Sequence, residues 1–445
     1  MKRAQVRGAA GKHAGIGAAN RAAYGAFALP LAMGALPLYV HLPKFYGEVY
    51  GLGLVTLGVL LLALRAVDAI ADPLIGAWSD RGPPRKRLIA WSAPVLAFGM
   101  VALYTPPVRG ETALLLWLGT ALAIVYAAYS IATINHNAWG AELSADPVER
   151  TRITATREGL ALCGVVVASV LPALLGGSEG EAAGLPRFAW VYAAIVALGL
   201  AVTLIAPAAP RPGTAPGSTL AGVREALADP LYRRLLAVYL VNGIAAAVPA
   251  TLVLFYIADA LQAEGRQGHF LALYFVSGAA FLPLWVRVSA RAGKVRAWGA
   301  SMIVAAAAFV WAALLGAGDV AAFAVVCVLS GAALGADLAL PPSIVADVAG
   351  RHAKSRPTGA YFGVWTLATK LNLALAAGIA LPLVSALGYE PGSRDDSALR
   401  ALAIVYAALP CGLKVAALAA LRTYAAAAAA DAASPPRISP IRYPG

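Results

Sequence analysis

The sequence predicts an all-α integral membrane protein of twelve transmembrane helices in two related six-helix halves. Three observations predict it. Hydrophobic residues make up 60% of the chain and charged residues 13%, with a mean hydropathy of +0.73, which is too apolar for an ordinary soluble domain. About a dozen runs reach the roughly 20 mostly apolar residues that a bilayer crossing takes. Matching residues then recur six spans apart. The spans are helices because lipid offers backbone groups no partners and the apolar runs lack the two-residue alternation of a barrel strand.

A basic arm with Lys2, Arg3, Arg7 and Lys12 leads into spans near 23–43, 51–78, 88–106, 112–140, 153–175 and 187–206. Residues 1–206 are thus expected to form an N-terminal bundle. The polar, Pro/Gly/Ser-containing stretch 207–230 reads as a cytoplasmic linker. Spans near 231–260, 269–289, 298–317, 320–346, 358–387 and 399–422 place a C-terminal bundle at 231–423. Residues 424–445, an alanine run from Ala425 and then SPPRISPIRYPG, read as a disordered cytoplasmic tail. The basic arm has no leading apolar core or cleavage site, so no cleaved signal peptide is expected.

Loop charges give the orientation. With the N-terminus inside, inner loops and tails hold about 26 of the 35 Lys and Arg and outer loops about six, as the positive-inside rule requires. Arg65, Lys370 and Lys414 fall inside spans. Both termini are expected in the cytoplasm, with the chain in a bacterial inner membrane. The net charge of +13 sits in short turns rather than on one face, so nucleic acid is not an expected partner. Cys163, Cys327 and Cys411 lie in apolar segments without metal spacing and read as packing residues. No cofactor is expected, and the chain reads as a monomer in the lipid bilayer.

The internal echo is Pro73-Leu74, Ser79 and Arg81 against Pro283-Leu284, Ser289 and Arg291, with Ala145-Asp146 against Ala346-Asp347. It joins helices six apart, which predicts a duplicated unit and a solute path between the halves at mid-membrane depth.

The chemistry concentrates in Arg65–Arg87, where an apolar run carries Asp68 and Asp72, meets Pro73 and ends in a basic turn. Asp68 and Asp72 are four apart and project from one helical face. A carboxylate at mid-membrane costs about 2.5–3.5 kcal/mol. Two this close cannot both stay ionised in a low dielectric unless a cation joins them, so the pair is expected to bind a proton or a metal ion. Pro73 has no N–H for the Ala69 carbonyl, and the helix pattern is expected to break there. The alternative is a fixed bridge from Arg65 to Asp68. Arg85-Lys86-Arg87 sets topology and is also suited to anionic headgroups.

The turn GAWSDRGPPRKR, Gly76 to Arg87, resembles the cytoplasmic signature between the second and third helices of the major facilitator superfamily. RAVDAIADPLIG, then WGAELSADPVERTRITATR from Trp139 to Arg157, then a lysine in the eleventh span resemble the glycoside–pentoside–hexuronide:cation symporters, the melibiose permease group. The layout resembles that family over nearly the whole chain; the motifs are dense in the first half and thin in the second. The resemblance implies that Asp68 and Asp72 bind the coupling cation with a fourth-helix hydroxyl at Ser130. It implies that Arg157 and Lys370 bind solute, and that Asp80, Arg81, Glu142, Arg150 and Arg152 form a cytoplasmic gate. Where the family has an asparagine before the second carboxylate, this chain has Ala71. A sodium shell loses an oxygen there, so a proton is the expected ion. Ala32 and Thr133 stand where sugar-binding members carry acids.

Other polar residues are particular to this chain. Asn135, His136 and Asn137 interrupt the fourth span, and Asp337 precedes Pro341-Pro342 in the tenth, where a helix break would open carbonyls to a cavity. His136 reads either as a proton relay or as a neutral core histidine bonded to a carbonyl. The asparagines read as solute ligands or interhelical bonds. Trp365 reads as a sugar-stacking platform or as packing. All five join the candidate solute-binding set. The expected function is cation-coupled symport, with H+ favoured over Na+, of a small polar solute such as a sugar or glycoside. The alternative is transport of an amphipathic, lysolipid-like anion. A membrane-embedded enzyme on His136 and Asp337 lacks any nucleophile, metal or phosphate motif, and a non-transporting sensor has no need of paired intramembrane carboxylates.

Overall fold

The structure, a computed structural model, describes residues 16–52, 54–179, 181–207, 219–263, 266–351, 358–389 and 392–433. All regular structure among them is helical. The first span is a series: α1 (Ala18–Gly25), α2 (Ala28–Leu36), a π turn at Pro37–His41 and α3 (Leu42–Tyr50). Then come α4 (Leu54–Ser79), α5 (Arg85–Tyr104), α6 (Glu111–Glu142), α7 (Pro147–Gly176) and α8 (Glu181–Ile205). A short α9 (Thr219–Ala228) precedes α10 (Pro230–Phe255), which ends in a π turn at Tyr256–Ala260. α11 (Gln267–Ala292), α12 (Lys294–Ala312), α13 (Val320–Gly350) and α14 (Thr358–Ala386) follow. The last span joins α15 (Asp396–Ala403), a π turn at Ile404–Ala408 and α16 (Leu409–Ala433). Among the described residues, ten helical stretches are long and apolar enough to cross a membrane. The α1–α3 series and α4 occupy the stretches of the first two expected spans.

Local chemistry sets several starts. Asp146 accepts from the Val148 and Glu149 amides at 3.1 and 3.3 Å with Pro147 as the first residue of α7. Asp229 does the same for Leu231 and Tyr232 at 2.9 and 3.3 Å, ahead of Pro230. A carboxylate that bonds the free amides and a proline that needs none are the usual N-terminal pairing.

Three expectations change. Pro73 does not break α4, and Pro341-Pro342 do not break α13; both helices run through. Neighbouring helices and local adjustment satisfy the carbonyls that a transmembrane proline frees. Within the stretch 207–230 expected to be a linker, α9 packs on α14 and α10 with Ala226 fully buried; residues 208–218 lie outside the described residues. The tail read as disordered from residue 424 is helical to Ala433, because alanine is the best helix former. The N-terminal lysines and arginines up to Lys12, and residues 434–445, lie outside the described residues.

The chain divides into two compact units. One takes its described residues from Met1–Leu60 and Pro83–Arg211, the other from Leu61–Gly82 and Pro212–Gly445. The division falls within α4, most of which groups with the second unit. In the first unit α5 packs on α6 and α8, and α7 on α2 and α8. The Tyr104 hydroxyl donates to the Pro37 carbonyl at 2.8 Å and so ties down the π turn. In the second unit α13 packs on α11 and α12, and α10 on α14 and α16. There Tyr256 stacks on Tyr406 at 4.2 Å between ring centres, and its hydroxyl donates to the Ala312 carbonyl at 2.6 Å.

Candidate functional site: a carboxylate pair bridged by lysine

In the second unit, α4 and α14 touch backbone to backbone. A Cβ on Gly76 would lie 2.2 Å from the Gly359 carbonyl oxygen, and one on Gly363 would lie 2.5 Å from that of Asp72. Only glycine permits that approach. It brings the second carboxylate of α4 against the middle of α14. Asp68 and Asp72 share one helical face, as their spacing predicts, and are buried at 8% and 0% exposure. The Lys370 ammonium lies between them, 2.5 Å from Asp68 Oδ2 and 2.8 Å from Asp72 Oδ2. At such separations in a low dielectric each contact is strongly attractive, and it offsets the desolvation of three charges. Lys370, expected to bind solute, thus lies against both carboxylates expected to bind the cation. One turn past Gly76, the Asp80 carboxylate accepts from the Gly359 and Ala360 amides at 2.7 and 3.0 Å. It caps the start of α14, where a negative charge also meets the positive end of the helix dipole. Arg81 donates to the Ala77 carbonyl at 3.2 Å.

A second network of that unit centres on Asp337. Its Oδ1 accepts from Trp298 Nε1 at 2.7 Å and Asn242 Nδ2 at 3.0 Å, and its Oδ2 from Lys414 Nζ at 3.1 Å. Lys414 also donates to Asn242 Oδ1 at 2.7 Å. Trp365 is stacked on Tyr239 at 3.7 Å between centres and is 5% exposed. Its ring packs on a neighbour, whatever further role it has.

The first unit holds the other candidates. Arg157 donates to Asn137 Oδ1 at 2.5 Å and through Nε to Glu158 Oε1 at 3.1 Å, with a second, shorter bond from Nη2 to Glu158. His136 is 1% exposed and fixed at both ends: its Nε2 lies 2.8 Å from the Tyr24 carbonyl, while the Tyr24 hydroxyl donates to the His136 carbonyl at 2.9 Å. Of the two readings of this histidine, the geometry is that of the core residue. Asn135 accepts from Arg85 at 3.1 Å and donates to the Ile131 carbonyl at 2.8 Å. Arg85 also pairs with Glu142 at 3.0 Å. Arg150 donates to the Ser144 carbonyl at 2.7 Å, and Arg152 pairs with Glu149 at 3.3 Å, which Arg21 approaches to 2.7 Å. Lys86 donates to the Leu204 and Ala206 carbonyls and caps the end of α8. Ser130 is buried in this unit, whereas Asp68 and Asp72 belong to the other.

The structure thus gathers Asp68, Asp72 and Lys370 in one cluster and Arg157 with Asn137 in another. Arg85 joins Asn135 to Glu142, which was expected in the cytoplasmic gate. Sequence reasoning passed over Glu158, Glu149, Arg21, Asn242, Trp298 and Tyr239. Glu158 directly follows Arg157 and Glu149 lies three residues before Arg152, so both were legible as counter-charges; Arg21, Asn242, Trp298 and Tyr239 meet partners on other helices far apart in sequence.

A family model described as MFS/sugar transport protein matches residues 22–426. Inner membrane symporter YicJ of Escherichia coli strain K12 is 26% identical over 136 residues, which is 30% of each chain. YagG of the same strain, whose name proposes a glycoside/cation symporter, is 30% identical over 135 residues, 29% of each chain. These matches span about a third of the length of either relative. Among solved structures, a bacterial homologue of the iron transporter ferroportin in its outward-facing state superposes with a TM-score of 0.68 at 16% identity, covering 92% of this chain and 99% of that one. The Escherichia coli fucose:proton symporter gives 0.65 at 13% identity, covering 92% and 98%. At such identities these likenesses show the fold, which is the major facilitator fold.

Proposed function

Because this chain belongs to the MFS/sugar transport protein family, a family of transporters and not of enzymes, we propose that it is a secondary active symporter that moves a neutral, hydroxyl-bearing solute such as a sugar or glycoside together with a proton. It works by alternating access in a bacterial inner membrane, as a monomer in the bilayer with both termini cytoplasmic. Asp68, Asp72 and Lys370 form the coupling site. Arg157 and Asn137 bind the solute, and Asp80 and the Arg85–Glu142 pair belong to the inner gate. The loop-charge bias supports the orientation, and the name of the inner membrane symporter YicJ, a relative, supports the membrane.

The observation that carries this reading is the pairing of charges. Each buried cation described within the spans has an acid beside it, Arg157 with Glu158, Arg85 with Glu142 and Lys414 with Asp337, and the half-buried Lys370 has two. An anionic headgroup would find none of these charges unmatched, which weighs against the amphipathic anion. Asp68 and Asp72 share the Lys370 ammonium, and a monovalent cation joining the cluster eases the repulsion between the two carboxylates. Among the described residues no third Asp, Glu, His or Cys joins the pair. Sodium takes several oxygens, and a proton takes one. Binding of ion and solute favour each other reciprocally.

Purified protein in liposomes is expected to accumulate a neutral glycoside from a panel of sugars, methyl glycosides and lysophospholipids under an inward proton gradient. A sodium gradient at equal pH should drive nothing. Sodium-driven uptake indifferent to pH would refute proton coupling. Uptake of lysophospholipid in place of glycoside would refute the neutral solute.

A further inference from the structure

We infer that Asp337 is a hydrogen-bond acceptor for the hydroxyl groups of the solute, and that Lys414, Asn242 and Trp298 are positioning residues that aim it. This rests on the neutral, hydroxyl-bearing solute proposed above. Four helices of the second unit meet at this carboxylate: α10 gives Asn242, α12 Trp298, α13 Asp337 and α16 Lys414. The three donors are enclosed, at 2%, 0% and 1% exposure. Only the Asp337 side chain keeps an open edge, 16% exposed. It lies near the middle of an apolar span, where an ionised group does not face lipid, so that edge meets water.

Counting lone pairs shows what the edge can do. A carboxylate has about four acceptor positions, two on each oxygen. Trp298 and Asn242 fill both on Oδ1, and Lys414 takes one on Oδ2. One position on Oδ2 remains for a donor from the water side. The amide of Asn242 has its nitrogen on Asp337 and its oxygen on Lys414, so both the plane and the counter-charge of the acceptor are set before a ligand arrives. A structural salt bridge needs no such arrangement, since a buried ion pair is often no more stable than packed apolar side chains. A hydroxyl donating to a carboxylate makes a charge-assisted bond. A site built for one discriminates strongly against an analogue that lacks it.

The test uses proteoliposomes of the full chain and measures uptake of methyl glucoside, galactoside and xyloside and their monodeoxy analogues. The first variant is Asp337→Asn/Lys414→Met, which removes both charges and leaves no unpaired ion; the second is Trp298→Phe, which removes one donor and keeps the ring. The double variant is expected to raise the half-saturation concentration at least tenfold, as loss of a charge-assisted bond implies, with maximal rate within about threefold of wild type. At one ring position the deoxy penalty seen in wild type should vanish. Trp298→Phe should raise half-saturation severalfold. Wild-type half-saturation in the double variant, or equal deoxy penalties in both proteins, makes the network purely structural and overturns the inference alone. If wild type takes up no glycoside, the transport reading and this inference fall together.

Discussion

Replacing Asp68 with asparagine is expected to abolish accumulation of solute against its gradient while exchange of solute across the membrane survives. The reason is that Asp68 and Asp72 both lie against Lys370, and the variant takes away one of the two carboxylates that make up the proposed ion site. Uptake driven by a pH gradient should collapse to simple equilibration, and solute counterflow should persist. Unchanged accumulation would sink the assignment of the coupling site. Lys370→Met runs the other way. It leaves two buried carboxylates without their ammonium, a loss of about 3–5 kcal/mol when one partner of a buried pair is removed. The detergent-solubilised variant should melt well below wild type.

Gly363→Ala should inactivate the transporter, although it adds one methyl group. The new Cβ would sit 2.5 Å from the Asp72 carbonyl oxygen and 2.9 Å from the Pro73 Cα, and backbone on both sides has no rotamer with which to yield. α4 and α14 must part by about an ångström, with an overpacking cost of about 1–3 kcal/mol. Asp72 then moves off Lys370. The control lies in the same helix: a Cβ on Gly378 meets nothing within 4 Å, so Gly378→Ala should leave transport unchanged and raise helix stability slightly. Initial uptake rates at matched protein per vesicle compare the two. Equal activity in both would show that the α4–α14 contact is not needed for transport.

The twelve spans were legible because a bilayer fixes the length of an apolar run, and run length survives without knowledge of any partner. Partners were not legible. Asp68 and Asp72 announced a cation by their spacing, but the ammonium that meets them is 302 residues from Asp68 in sequence. Lys414 stood out as a charge inside a span, and only the packing of α10, α12, α13 and α16 gives it Asp337. The prolines misled for a physical reason: rules for helix breaking come from water, where a freed carbonyl has solvent as an alternative, while in a bundle the helix is the best remaining choice for its backbone. The alanine run misled because low complexity was weighed above intrinsic helix propensity.

The Lys370 cluster also has an electrical meaning. In the proposed proton symport, loading this cluster adds one positive charge to a group inside the membrane field, so the empty and loaded forms cannot both be neutral. A charge crossing the full field responds to voltage by roughly 2.3 kcal/mol per 100 mV. With a neutral solute each cycle then carries one positive charge inward, whichever form is the charged one. Imposing interior-negative potassium diffusion potentials on vesicles should therefore raise net uptake, and reversing their sign should lower it.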